Sequence, residues 1–183
     1  EFPELQGIMG GYFAEEQGFE KDVSLAIREQ YLPSGYNSKI PKKPYSIAIS
    51  LADKIDTLVG FFGINYKPTS SKDPFALRRL ALGIVKIVVE NRKDFKIIDL
   101  IKYSLSLYLE QGYIFKNKFL QKELADFLMD RLKFYMKEEK IRHDIIQLAI
   151  CSTYIPLAST TELRMQFLHD GTHFRVPNGS LRL

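Results

Sequence analysis

Two segments, Tyr45 to Ile64 and Pro74 to about Asn91, constrain the fold most, because each reads as a helix that is apolar around most of its circumference. Helical spacing gathers the small and polar positions of the first, Ser46, Ser50, Asp53, Thr57 and Gly60, onto one narrow stripe. Arg79, Gly83, Lys86 and Glu90 form the corresponding stripe of the second. A helix with so little polar surface must be surrounded by other elements, so these two are expected at the centre of the domain. Their connection is also patterned: Asp73 is expected to cap the second helix, with Pro74 at its first position and Arg78 and Arg79 in the turns that follow.

The flanking segments supply the cover. From Phe2 to about Gln17, Leu5, Ile8, Met9, Tyr12 and Phe13 recur at helical spacing, interrupted by Gly7, Gly10 and Gly11. Each glycine weakens such a helix by close to 1 kcal/mol relative to alanine, which predicts the close approach of another helix as compensation. A second helix is expected from about Lys21 to Tyr31, with Val23, Leu25, Ala26 and Ile27 facing inward, and the proline-rich stretch from Leu32 to Pro44 reads as a loop. Amphipathic helices are expected over Ile97–Leu109 and Lys118–Glu138, and a shorter one over His143–Ala149. Period-two alternation is absent through Ala149. The expectation is an all-α, globular, multi-helix domain over residues 1–150 without repeats, followed by a poorly patterned, loose tail over 151–183.

A chain of 183 residues can bury a single ordinary core without staples. No apolar run approaches the roughly 20 residues of a bilayer-spanning helix, since Lys86 interrupts the longest, so the expected chain is not membrane-embedded. The single cysteine, Cys151, has no internal partner for a disulfide, which fits a reducing, cytoplasmic compartment. The abrupt start at Glu1 inside a patterned segment, with no secretory leader, reads as a piece of something longer.

The formal charge of +4 is modest but uneven. Lys39, Lys42 and Lys43 cluster without an acid among them, and Lys72, Arg78 and Arg79 outweigh Asp73. Local basic surface of this kind can attract phosphate even when total charge is small.

Candidate chemistry is thin. His143-Asp144 matches the doublet that names the HD metal-dependent phosphohydrolases, but a metal needs several convergent ligands, and His169 and His173 lie in the irregular tail. Asp53 and Asp56, three residues apart on one helix, could hold magnesium. The preferred alternative is internal polar pairing with Arg78, Arg79 or Lys54, because a lone buried charge is costly. Gly7, Gly10 and Gly11 follow no strand and make no phosphate loop, and no nucleophile motif is present. The reading is therefore no catalytic residue and no metal site within this chain.

Three stretches carry a specific resemblance: EFPELQGIMGGYFA at Glu1–Ala14, ADKIDTLVGFFGI at Ala52–Ile64 and SKDPFALRRLALGI at Ser71–Ile84, with YLP at Tyr31–Pro33 also in place. In that order and spacing the chain, from Glu1 to about Ala149, resembles the β subunit of bacterial glycine-tRNA ligase. The resemblance implies an internal helical domain related to the HD fold in degenerate form. On the HD pattern Gln6-Gly7 would stand at the first doublet and Gln30-Tyr31 at the later histidines, leaving only Asp53 of the metal ligands. It further implies a noncatalytic module that supports tRNA binding in an ATP-dependent ligase, with the α subunit, tRNA(Gly) and the remaining β domains as partners. No cofactor is expected in this chain; ATP and Mg would be used through the α subunit. Lys39, Lys42, Lys43, Lys67, Lys72 and Arg79 are the expected tRNA contacts, and Asp53, Asp56, Asp73 and Arg78 the expected structural polar pairs, with Arg78 assigned to Asp53 or Asp56. The alternatives are an HD-type phosphohydrolase using Asp53, Asp56, His143 and Asp144, and an inert interaction scaffold. The tail from Ser152 departs from the family pattern and reads as a frameshift, an artificial end or divergence.

Overall fold

The computed structural model describes residues 2–69, 71–91 and 96–141. The chain divides into two compact units, Glu1–Tyr135 and Met136–Leu183, and the first carries the fold described below. The expected helix at His143–Ala149, the His143-Asp144 doublet, Cys151 and the tail lie outside the described residues.

Among the described residues the structure is helical, without strands: a 3-10 turn at Pro3–Leu5, then α1 (Ile8–Glu16), α2 (Lys21–Glu29), α3 (Pro44–Gly63), α4 (Leu77–Glu90), α5 (Ile97–Glu110) and α6 (Leu120–Glu138). The all-α expectation holds. α3 is the hub, packed on α2, α4 and α5, while α1 packs on α2. Ile47, Leu51, Ile55, Leu58, Val59 and Phe62 of α3 meet Leu77, Ala81, Ile84 and Ile87 of α4, Ile101 of α5, and Leu120, Leu124 and Leu128 of α6 in one continuous core. The two helices with the least polar surface do occupy the centre, because their apolar circumference has no other way to leave water.

The first expected helix is split. Gly7, at φ 80°, separates the 3-10 turn from α1. The predicted close approach is real: a β-carbon on Gly10 would stand 3.0 Å from the Ile27 side chain, and one on Gly11 3.1 Å from the Ser24 carbonyl.

Helices α1, α3 and α5 end in the same way, as does α6, where Lys140 is left-handed and Ile141 donates to Met136 O at 3.0 Å. Gly18, Asn65 and Gly112 all take left-handed backbone immediately after the C-caps of α1, α3 and α5. The next residue then donates back five positions, Phe19 to Ala14 and Tyr113 to Tyr108 at 3.0 Å and Tyr66 to Phe61 at 2.8 Å, which satisfies carbonyls that the helix leaves unpaired. In α3 and α5 the bond is accompanied by aromatic contact, Phe61 with Tyr66 and Tyr108 with Tyr113, each at 5.8 Å between ring centres.

The start of α4 corrects the sequence expectation. Pro74 sits not at its first position but in a turn closed by the Ala76 amide on the Asp73 carbonyl at 3.1 Å, and Ala76 is left-handed, so the helix begins at Leu77. Asp73 still caps it: its two carboxylate oxygens accept from Leu77 N at 2.8 Å and Arg78 N at 3.0 Å. The intervening Phe75 stacks on Phe61 at 4.5 Å and meets Tyr66 at 5.1 Å, which gives the displaced turn a packing reason.

Candidate nucleic-acid interface

The expected cations separate into two groups at opposite ends of α3. Lys39, Lys42 and Lys43 lie on the loop that enters its N-terminus, whereas Lys67, Lys72 and Arg79 belong to the connection leaving its C-terminus and the first turn of α4. Twenty helical residues span about 30 Å, several times the Debye length of about 8 Å at physiological ionic strength, so the groups act on a charged ligand independently.

All six side chains are exposed. Lys67 is nevertheless engaged: its ammonium meets Glu123 Oε1 at 2.6 Å, while Asn117 donates to Glu123 Oε2 at 2.6 Å. Those two hydrogen bonds hold the Glu123 carboxyl below its ordinary pKa. Lys39, Lys42, Lys43, Lys72 and Arg79 meet no carboxylate within 4.0 Å among the described residues.

The loop bearing Lys39, Lys42 and Lys43 is anchored from beneath. Pro33, Ile40 and Pro41 are buried. The Leu32–Pro33 peptide is cis. Side chains of α3 and α4 collect the loop carbonyls one after another. Lys54 Nζ donates to Gln30 O at 3.1 Å, and Ser50 Oγ to Leu32 O at 2.6 Å. Lys86 Nζ donates to Tyr36 O and, at 3.1 Å, to Ser38 O; Asn91 Nδ2 donates to Pro41 O at 3.0 Å. Lys86 also meets Glu90 at 3.4 Å and stands 5.5 Å from the centre of the Tyr36 ring.

Lys54 is 1% exposed and finds no carboxylate partner among the described residues: its other bonds go to Ser50 Oγ at 2.8 Å and Ser50 O at 3.4 Å. Burial lowers its pKa from 10.5 to about 8, opposed in part by the neighbouring Asp53 charge. Gly83 makes room for it, since a β-carbon there would lie 3.1 Å from Lys54 Cε. The sequence alone offers Lys54 as one partner for the acids and places Lys86 on the polar stripe of the second helix, where it breaks the longest apolar run. That break was the available signal: a lone lysine inside an otherwise apolar helical face must find buried acceptors.

The assigned polar pairs resolve differently. Arg78 does not reach Asp53 or Asp56; its guanidinium donates to Thr69 O, and its backbone amide is held by Asp73. Asp53 Oδ1 accepts from Gln30 Nε2 at 3.2 Å. Burial, together with the carboxylate of the exposed Asp56, raises the pKa of Tyr108, whose hydroxyl also donates to Asp56 O at 3.4 Å. The corner turns Arg78 toward the connection that precedes α4 and away from the acids of α3. Among the described residues no three His, Cys, Asp or Glu side chains converge to hold a metal ion.

The family model for the glycyl-tRNA synthetase beta subunit matches residues 1–151. The chain belongs to that family. Among its curated relatives, the glycine–tRNA ligase beta subunit of Phenylobacterium zucineum is 44% identical over 146 residues, 80% of this chain and 19% of the relative. That of Cereibacter sphaeroides is 43% identical over 146 residues, 80% and 21%, and that of Rhodospirillum centenum 44% identical over 147 residues, 80% and 20%. The chain thus spans about a fifth of the length of the curated relatives it matches. No helix among the described residues is long and apolar enough to cross a membrane.

Proposed function

We propose that this chain forms a noncatalytic helical module of a cytoplasmic glycine-tRNA ligase, one that grips the phosphate backbone of tRNA(Gly) while glycine attachment takes place elsewhere in the α/β holoenzyme. The observation that carries the reading is the exposed trio Lys39, Lys42 and Lys43, free of carboxylates among the described residues, on a loop whose Leu32, Tyr36, Ser38 and Pro41 carbonyls accept from side chains of the core helices. Lys72 and Arg79 form a second contact region beyond the far end of α3. Such cations neutralise phosphates and fix register without reading bases. The α subunit and the other β domains supply the remaining contacts, and ATP and Mg act through the α subunit.

The degenerate HD scaffold is part of the same reading. It is supported by the way three distant sequence positions meet: a β-carbon on Gly7 would lie 3.2 Å from the Tyr31 ring, Gln30 donates to Asp53, and Lys54 donates to Gln30 O. The Gln30 amide occupies the one carboxylate, while the Lys54 ammonium turns to Gln30 O.

The test is a salt titration of tRNA(Gly) binding by the 183-residue chain. Affinity is expected to fall steeply with salt, and a triple Lys39→Gln, Lys42→Gln, Lys43→Gln variant to flatten the log–log slope by about 2 to 3, at roughly 0.7–0.9 per lost phosphate contact. An unchanged slope in the triple variant removes the loop from the interface.

A further inference from the structure

We infer that Lys86 and Asn91, on the buried face and at the C-terminal end of α4, are positioning residues for the basic loop: they touch no tRNA, but fix the backbone on which Lys39, Lys42 and Lys43 are displayed. This inference rests on the tRNA-binding reading above and adds to it the residues that prepare the site.

The geometry is specific to this loop. Lys86 holds the carbonyls of Tyr36 and Ser38, and Asn91 holds that of Pro41, so the two side chains grip the backbone on both sides of Lys39 and immediately before Lys42. Buried Ile40 and Pro41 pin the same stretch from within, and Lys39, between the fixed points, and Lys42 and Lys43, just after them, are exposed. Residues 32–43 carry no acid, so carboxylate pairing within the loop cannot hold it, and inward carbonyls bonded to cationic or amide donors take that role. A loop with its carbonyls drawn inward also keeps their negative ends away from an approaching phosphate. Lys86 is 6% exposed and shares its charge with Glu90, so it releases no counterion of its own on binding.

A positioning role and a contact role therefore leave different marks on a salt titration. Removing a contacting lysine changes the slope, because fewer ions are released. Loosening the loop lowers affinity at every salt concentration without changing the slope, because the same contacts form after backbone freedom has been lost on binding.

The experiment compares the 183-residue chain with Asn91→Ala, Lys86→Met and the triple glutamine variant, measuring tRNA(Gly) affinity across a salt series together with helix content by circular dichroism and the rate of trypsin cleavage after Lys39 and Lys42. Asn91→Ala keeps every charge and is the informative variant if Lys86→Met fails to fold. The expected result is about a tenfold weaker binding for Asn91→Ala with an unchanged slope, unchanged helix content and faster cleavage in the loop, the factor being the entropy of ordering a residue or so. Wild-type affinity for a folded Asn91→Ala, with the triple variant impaired, overturns the positioning role and leaves the tRNA reading standing. Wild-type affinity and slope for the triple variant overturn the positioning role together with the loop's place in the tRNA interface.

Discussion

Lys54 Nζ stands 2.8 Å from Ser50 Oγ, one turn back along α3, at a site where the lysine is 1% and the serine 0% exposed. The hydroxyl accepts from the ammonium and donates to Leu32 O, so one helical turn ties the end of α2 and the start of the loop to the centre of the fold. The ammonium is satisfied by neutral oxygens alone, which explains both its tolerance of burial and its lowered pKa.

That pKa makes stability depend on pH in the alkaline range. Below about 8 both folded and unfolded chains carry the Lys54 proton and the burial cost is fully present; between about 8 and 10.5 only the unfolded chain keeps it, so stability rises with pH, and above 10.5 the cost is gone. The rise is on the order of 3 kcal/mol. Urea unfolding of wild type and Lys54→Met from pH 7.5 to 10.5 isolates it, because the tyrosines common to both chains cancel; parallel curves would refute the assignment.

Gly7 and Gly18 share a φ of 80° but differ in surroundings. A β-carbon on Gly7 would come 2.7 Å from the Arg28 carbonyl, whereas one on Gly18 meets nothing within 4 Å. Gly18→Ala is expected to cost only the left-handed backbone penalty, about 1–2 kcal/mol, and Gly7→Ala that penalty plus about 1–3 kcal/mol for displacing α2. Denaturant midpoints rank the two; equal losses would mean that α1 and α2 separate freely.

Asp73→Ala leaves the Leu77 and Arg78 amides without their side-chain acceptor and should destabilise by about 0.5–2 kcal/mol. Asp73→Asn, which keeps an oxygen, should recover much of the loss. Pro74→Ala should be milder than a helix-start proline would predict, since Pro74 lies in the preceding turn. Thermal melts of the three variants decide between the two placements.

The two cation groups, separated by the length of α3, should contribute additively to tRNA binding. Within the second group Lys67 is expected to matter least, because Glu123 already neutralises it. Lys67→Gln should change the salt slope less than Lys72→Gln or Arg79→Gln, read from the same titration. A larger effect from Lys67 would mean that tRNA displaces Glu123.

The sequence by itself determined the helical class and the central place of α3 and α4, since those properties follow from local periodicity and from apolar circumference that must be covered. It also foretold the close seam at Gly10 and Gly11, where missing side chains imply a neighbour, and the capping role of Asp73. Tertiary structure alone decided what lies far apart in sequence: that Arg78 turns to Thr69 and not to the acids of α3, that Lys67 is taken by Glu123, and that Lys86 and Asn91 reach back about 50 residues to the loop. Hydrogen-bond partners are chosen by distance and desolvation after the core has packed. A periodicity names the face on which a lysine sits; only the packed chain supplies the carbonyls that make its burial tolerable.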